Sequence, residues 1–220
     1  DPEKVLYLAR EIEPVYKSNV NIGLIIGAGN IFRGMEASAG GMDRVTGDYL
    51  GMLATIMNAI ALQDALEKIG CETYKRQAIN VTQIAEPYIR RRAIRHMEKG
   101  RIVIIAGGTG NPFFTTDSAA ALRANELGSE ILLKGTKVDG VYDKDPHKYI
   151  DAKKYNELSY NKVIQDDLRV MDMTAITLCH ENNIPIKVFN IKSSGDLIDI
   201  ISGSNICLLY TSDAADDRDS

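Results

Sequence analysis

The sequence predicts an α/β protein, a three-layer αβα sandwich with a mainly parallel central sheet, on three observations. Short apolar runs bounded by glycine or polar residues alternate with longer segments of helical periodicity. Glycine-bearing loops at Gly27, Gly107 and Gly135 each follow such a run, where parallel sheets present ligand-binding loops at the C-terminal ends of strands. The 220 residues, 45% hydrophobic and 25% charged, suffice for a core without disulfide or metal staples.

The elements follow in order. From Pro2 the apolar residues Val5, Leu8, Ile12 and Val15 recur at helical spacing. Ile22–Ile26 reads as a buried strand and leads into the loop Gly27-Ala28-Gly29-Asn30-Ile31-Phe32-Arg33-Gly34. Asp48 opens a long helix from about Tyr49 to Ile69, with Met52 and Met57 as core filler. Cys71–Ala78 is a strand and Pro87–Met97 a helix whose basic run, Arg90, Arg91, Arg92 and Arg95, forms a solvated face. The central strand is Ile102–Ala106, and a helix starts near Ala119. Glu130–Leu133 is a further strand, delivering Lys134 to Tyr142, and Asp143–Pro146 is a turn. Helices at Asn161–Leu168 and Met173–Asn182, a strand at Ile186–Phe189 and a helix at Gly195–Ile201 complete the pattern. No Pro-rich linker divides residues 1–206, read as one domain, and the acidic stretch from Thr211 is expected to be disordered.

The stretch that organises the chemistry is Gly107-Gly108-Thr109-Gly110-Asn111-Pro112-Phe113-Phe114-Thr115-Thr116-Asp117-Ser118. A glycine loop feeding a helix N-terminus suits phosphate, because unpaired N–H groups and the helix dipole both point there. Thr109, Thr115 and Thr116 offer hydroxyls, Gly110 permits close backbone approach, and Phe113 and Phe114 can wall off a base or the core. Helix capping by Asp117 or Ser118 is the competing use of these polar groups. Asp117 suits the positioning of a lysine or a metal-bound water better than contact with bare phosphate. Lys134 and Arg33 are the cations best placed in sequence to neutralise a transferring phosphoryl group. A phosphate acceptor is already largely ionised at neutral pH, so no general base is required. Neither the Rossmann spacing nor the P-loop lysine is present: Phe32 stands where a third glycine belongs, and no glycine precedes a lysine.

The composition excludes other classes. A net charge of −4 gives no global electrostatic case for nucleic acid or an anionic membrane, and no apolar run reaches the ~20 residues of a membrane span. Cys71, Cys179 and Cys207 are odd in number and far apart, which argues against a disulfide framework and fits a reducing cytosol. His96, His147 and His180 do not cluster and read as surface or packing residues.

These residues resemble the bacterial uridylate (UMP) kinases of the amino acid kinase fold. The resemblance runs from Asp1 to about Ile206 and is carried by the stretch from Thr109 to Asp117. Gly29–Gly34, Arg44–Asp48, Gly51–Thr55 and Lys137–Tyr142 support it. It implies transfer of the γ-phosphoryl of ATP to UMP, with Mg²⁺, giving UDP and ADP. By the same resemblance Ala28, Asp48, Thr109, Gly110, Asn111, Pro112, Phe113, Phe114, Thr115 and Thr116 hold UMP. Gly29, Arg33, Thr136, Tyr142 and Asp145 hold ATP. Arg33, Asp117 and Lys134, read above from their charge and place in the sequence, are the expected catalytic set. Cytoplasmic homohexamers responding to GTP and UTP are also implied.

The sequence departs from the family's pattern in three places. Ala28 replaces the middle of three glycines; the family's first strand with its Lys-x-Ser-Gly loop has no counterpart; residues 207–220 form an atypical tail. The expectation is a truncated uridylate kinase that binds nucleotides weakly and turns over poorly. The alternatives are a relative of the same fold with a carboxylate acceptor and a non-catalytic nucleotide-binding subunit.

Overall fold

The computed structural model describes residues 1–32, 40–78, 86–138, 140–144, 146, 148–168, 171–203 and 208–210. The chain divides into two compact units, Asp1–Ala120 and Ala121–Ser220.

In the first unit, α1 (Pro2–Lys17) turns its helical stripe inward, burying Ala9, Ile12 and Val15. Strand β1 (Gly23–Ile25) is followed by α2 (Arg44–Lys68), β2 (Thr73–Gln77), β3 (Glu86–Pro87), α3 (Arg90–Met97) and β4 (Ile102–Ala106). The sheet is wholly parallel, in the order β1-β4-β2-β3, with Gly23 opposite Val103 and Thr73 opposite Ile102. Strand β4 is flanked on both sides, which is why all five of its residues are buried and why its sequence is apolar without alternation. Helices α2 and α3 pack on β2 and β4, and α1 packs on α2.

Three helix starts differ from the sequence expectation by three residues or more. Helix α3 begins at Arg90 and not Pro87, because Glu86–Pro87 pairs beside β2 as β3. Asp43, not Asp48, caps α2: its carboxylate accepts the Thr46 N–H at 2.8 Å and the Thr46 hydroxyl at 3.0 Å, which hold it below the usual carboxylate value. Asp48 therefore lies more than one turn inside the helix. Of the two methionines read as core filler, Met52 is buried but Met57 is 61% exposed, because they lie on opposite sides of α2. Helix α2 is also, among the described residues, the one helix long and apolar enough to cross a membrane by length and composition. It nevertheless carries Arg44, Asp48, Asp64, Glu67 and Lys68 and buries one side against α1, β2 and β4.

Helix α4 (Thr116–Leu127) starts three residues before the expected Ala119. Neither Asp117 nor Ser118 is its cap. Thr115 is: its Oγ1 accepts the N–H of Asp117 at 3.0 Å and of Ser118 at 3.3 Å.

The second unit contains β5 (Leu132–Thr136), β6 (Glu157–Ser159), α5 (Tyr160–Gln165), α6 (Met173–Glu181), β7 (Ile186–Asn190), α7 (Asp196–Ile201) and β8 (Leu208–Tyr210). Its sheet order is β5-β7-β8-β6, parallel except where β8 meets β7. Strand β5 begins later than expected and absorbs Lys134, Gly135 and Thr136, so Gly135 belongs to a strand and not to a loop. A Cβ at Gly135 would lie 2.8 Å from the Ile191 side chain, which explains a glycine inside the strand. Three strands escape the sequence reading, each of two or three residues: β3, β6 and β8. The last lies in the atypical tail, and residues 211–220, the stretch expected to be disordered, lie outside the described ones. The core of this unit gathers Val141, Leu158, Tyr160, Ile176, Cys179 and Ile186. The Tyr160 hydroxyl donates to the Ile184 carbonyl at 2.6 Å, and burial raises the pKa of Cys179 to about 11, so its thiol is a packing group.

Candidate active site

In the first unit, β1 and β4 are adjacent and parallel, so the loops that follow Ile25 and Ala106 leave the same sheet edge. They approach closely: a Cβ on Gly27 would stand 3.4 Å from Thr116 Oγ1 at the start of α4. The Ala28 carbonyl accepts the N–H groups of Ile31 at 2.8 Å and Phe32 at 2.9 Å, closing a turn in which Ala28 is buried and Gly29 exposed. Arg33 lies outside the described residues.

The second loop is made by backbone conformations that glycine permits. Gly107, Gly108 and Gly110 have φ of 81°, 60° and 84°. The Gly110 N–H donates to the Gly107 carbonyl at 3.0 Å, and a Cβ at Gly110 would sit 3.1 Å from the Ala78 carbonyl oxygen. Thr109 Oγ1 accepts the Asn111 N–H at 3.2 Å, completing a local turn, and Pro112 follows. Phe113 has φ of 70°, an uncommon left-handed conformation for a bulky residue. Phe113 is 67% exposed and Phe114 50%, so neither joins the core.

Three side chains of α2 hold these loops. The Asp48 carboxylate accepts the Phe113 N–H at 2.8 Å and pairs with Arg44 Nε at 2.9 and 3.0 Å through its two oxygens. The buried Thr55 hydroxyl accepts the Gly107 N–H at 2.7 Å and donates to the Met52 carbonyl at 2.7 Å. Asn58 Nδ2 donates to the Gly27 carbonyl at 2.8 Å. Positions 48, 55 and 58 share one face of a helix. Sequence reasoning missed Thr55 and Asn58. The available signal was polar residues at that spacing within an otherwise apolar helix.

Asp117 stands half-buried in the first turn of α4, where a carboxylate complements the helix dipole. The edge thus combines a helix N-terminus, exposed threonine and glycine backbone, exposed aromatic rings and the Asp48 carboxylate. That set can receive a phosphorylated ligand with an apolar ring.

The chain of residues 1–190 matches the model of the amino acid kinase family. The chain belongs to the amino acid kinase family. Amino acid kinases of known structure that it is similar to include the UMP kinase of Bacillus anthracis, 37% identical over 96% of this chain and 88% of that one, at a TM-score of 0.93. The UMP kinase of Ureaplasma parvum is 38% identical over 96% and 90%, at a TM-score of 0.90. The uridylate kinase of Archaeoglobus fulgidus is 26% identical over 95% and 93%, at a TM-score of 0.74. The α/β fold with a mainly parallel sheet is that of these phosphoryl-transfer kinases.

The second unit of this amino acid kinase carries the remaining predicted residues. Lys134 and Thr136 project from the same side of β5, two residues apart. Thr136 Oγ1 accepts the Val138 N–H at 2.9 Å, bending the chain as it leaves the strand. Tyr142 makes an isolated antiparallel bridge with Lys154, buttressed by the Asp143 carboxylate accepting the Lys153 N–H at 2.8 Å. Asp145 lies outside the described residues.

Proposed function

We propose that this chain transfers the γ-phosphoryl group of ATP to UMP, giving UDP and ADP. The observation that carries the reading is the hold of Asp48 on the Phe113 N–H, which anchors the stretch Thr109–Thr116 between β4 and α4 and supports its use as the acceptor loop. The likeness to the two bacterial UMP kinases supports the choice of acceptor. On this reading Ala28, Asp48 and Thr109 to Thr116 receive UMP, and Gly29, Arg33, Thr136, Tyr142 and Asp145 receive ATP. An acceptor phosphate oxygen attacks the γ-phosphorus as its bond to the β-phosphate oxygen breaks. Arg33 and Lys134 neutralise the charge spread over the transferring group, and Asp117 keeps a cation in register. No side chain needs to take a proton, because the attacking oxygen is already ionised.

Among the described residues no group of three or more His, Cys, Asp or Glu side chains is placed to hold a metal. On this reading Mg²⁺ comes in on the triphosphate, with Asp117 as a carboxylate for its water shell, since Mg²⁺ keeps waters and takes few protein ligands. The cytoplasm, a homohexamer and GTP or UTP as effectors belong to the same proposal.

ADP release measured across UMP, CMP, aspartate and glutamate, paired with calorimetric binding of UMP, tests the reading. Release with UMP and not with the other three is the expected result. Release with aspartate or glutamate would move the chain to a carboxylate-accepting branch of the family. UMP binding with no release would make it a nucleotide-binding subunit.

A further inference from the structure

Helix α2 reaches the first loop through a residue that neither the sequence reading nor the phosphoryl-transfer scheme uses. Asn58 Nδ2 donates both to the Gly27 carbonyl and to Asn30 Oδ1, each at 2.8 Å, and Asn30 Nδ2 returns a bond to Asn58 Oδ1 at 3.3 Å. The carbonyl of Gly27 needs a donor, which fixes the orientation of the Asn58 amide. The turn between these two anchors closes on the Ala28 carbonyl. It therefore has one fixed end at Gly27, one fixed side chain at Asn30, and the exposed Gly29 between them. Asp48 and Thr55 hold the other loop from the same helix face. An α-helix is stiff, so its rise sets the separation of the two loops.

We propose that Asn58 is a positioning residue for the nucleoside triphosphate donor. Through Gly27 and Asn30 it holds the turn of residues 27–32 in the shape that accepts the donor phosphates, in register with the acceptor loop. This rests on the reading of the two loops as donor and acceptor sides. Productive transfer needs both reactants placed to within a fraction of an ångström, and two loops anchored on one helix meet that need without direct contact between Asn58 and the ligand. The side chain carries no charge, so its contribution is geometric.

Asn58→Ala and Asn30→Ala test the proposal by hydrogen exchange and by calorimetry with UMP and a non-hydrolysable ATP analogue. Asn58→Ala is expected to speed exchange at the Ile31 and Phe32 amides while leaving Gly110 and Phe113 unchanged. Affinity for the ATP analogue should fall about tenfold, with a smaller loss for UMP, which meets this turn only at Ala28 and whose remaining loop Asp48 and Thr55 still hold. Asn30→Ala, which keeps the Gly27 bond, should show a smaller change of the same kind. Unchanged exchange in residues 27–32, or equal losses for both ligands, would overturn the proposal. Should Asn58→Ala lose its fold, Asn30→Ala at its exposed site carries the same test. A wild-type chain that binds neither nucleotide defeats the kinase reading, while the exchange arm still decides whether Asn58 holds the turn.

Discussion

The Asp48 carboxylate lies 2.8 Å from the backbone nitrogen of Phe113, which is 65 residues further along the chain. One acid, itself half of an ion pair with Arg44, thereby stabilises a left-handed backbone at a residue whose side chain disfavours it. Removing the carboxylate releases the loop and unpairs Arg44 together. Asp48→Ala should cost about 1.5–3 kcal/mol of stability, the range for hydrogen bonds to charged groups, and weaken UMP binding at least about tenfold. Asp48→Asn keeps an acceptor for Phe113 and should cost less. Urea unfolding and UMP calorimetry measure both, and equal stability losses would shift the effect from the Phe113 bond to the Arg44 pair.

Thr55 gives a second test, closer to the core. Its hydroxyl is the partner of the buried Gly107 N–H, and valine has nearly the same shape. Thr55→Val should therefore destabilise by about 1–3 kcal/mol through an unsatisfied buried donor, whereas Thr55→Ser should cost under about 1 kcal/mol. If the two variants melt alike, the methyl group and not the hydrogen bond is what the site needs.

Two glycines with nearly equal φ separate strain from contact. Gly110 has φ of 84° with the Ala78 carbonyl oxygen 3.1 Å from a would-be Cβ, while Gly70 has φ of 86° and open space. Gly70→Ala should lose only the left-handed penalty of about 1–2 kcal/mol. Gly110→Ala should lose more, and thermal unfolding of the pair reads the difference. Equal losses would mean that the end of β2 yields to the methyl group.

Stability should also depend on pH through His96. Its ring stacks on Tyr74 with centroids 3.3 Å apart, and the Arg76 guanidinium lies 4.2 Å over the opposite partner, Tyr74. Burial first, then the charges of Arg101, Arg76 and Lys99, hold its pKa below the ordinary 6.5, with Glu86 opposing. The unfolded chain thus takes up this proton at a higher pH than the folded one. The contribution is complete above 6.5 and is lost as pH falls from there toward the folded value. Urea midpoints between pH 7.5 and 5.5 should drop less in His96→Gln than in the wild type. Parallel drops would assign the effect to other groups.

Much of the site was legible because its signals are local. Gly107, Gly108 and Gly110 announce left-handed backbone, and Thr115, Thr116 and Asp117 announce a helix start, whatever the rest of the chain does. Capping partners were less legible, since Asp43, Asp48, Thr115 and Asp117 are all acceptable caps in isolation and only the actual helix register chooses Asp43 and Thr115. The two- and three-residue strands β3, β6 and β8 carry too little alternation to register at all, and they exist because neighbours pair with them.

The sequence by itself determined the apolar strands, the amphipathic α1, the glycine loops and the family pattern that runs through them. Each is written in residues near one another, where sterics and periodicity act within a few positions. Tertiary structure alone decided that Asp48 serves Phe113, that Thr55 serves Gly107 and that Asn58 serves Gly27. Those pairings depend on how a helix lies across a parallel sheet whose register is set by many distant contacts at once. No residue's immediate neighbours encode that placement.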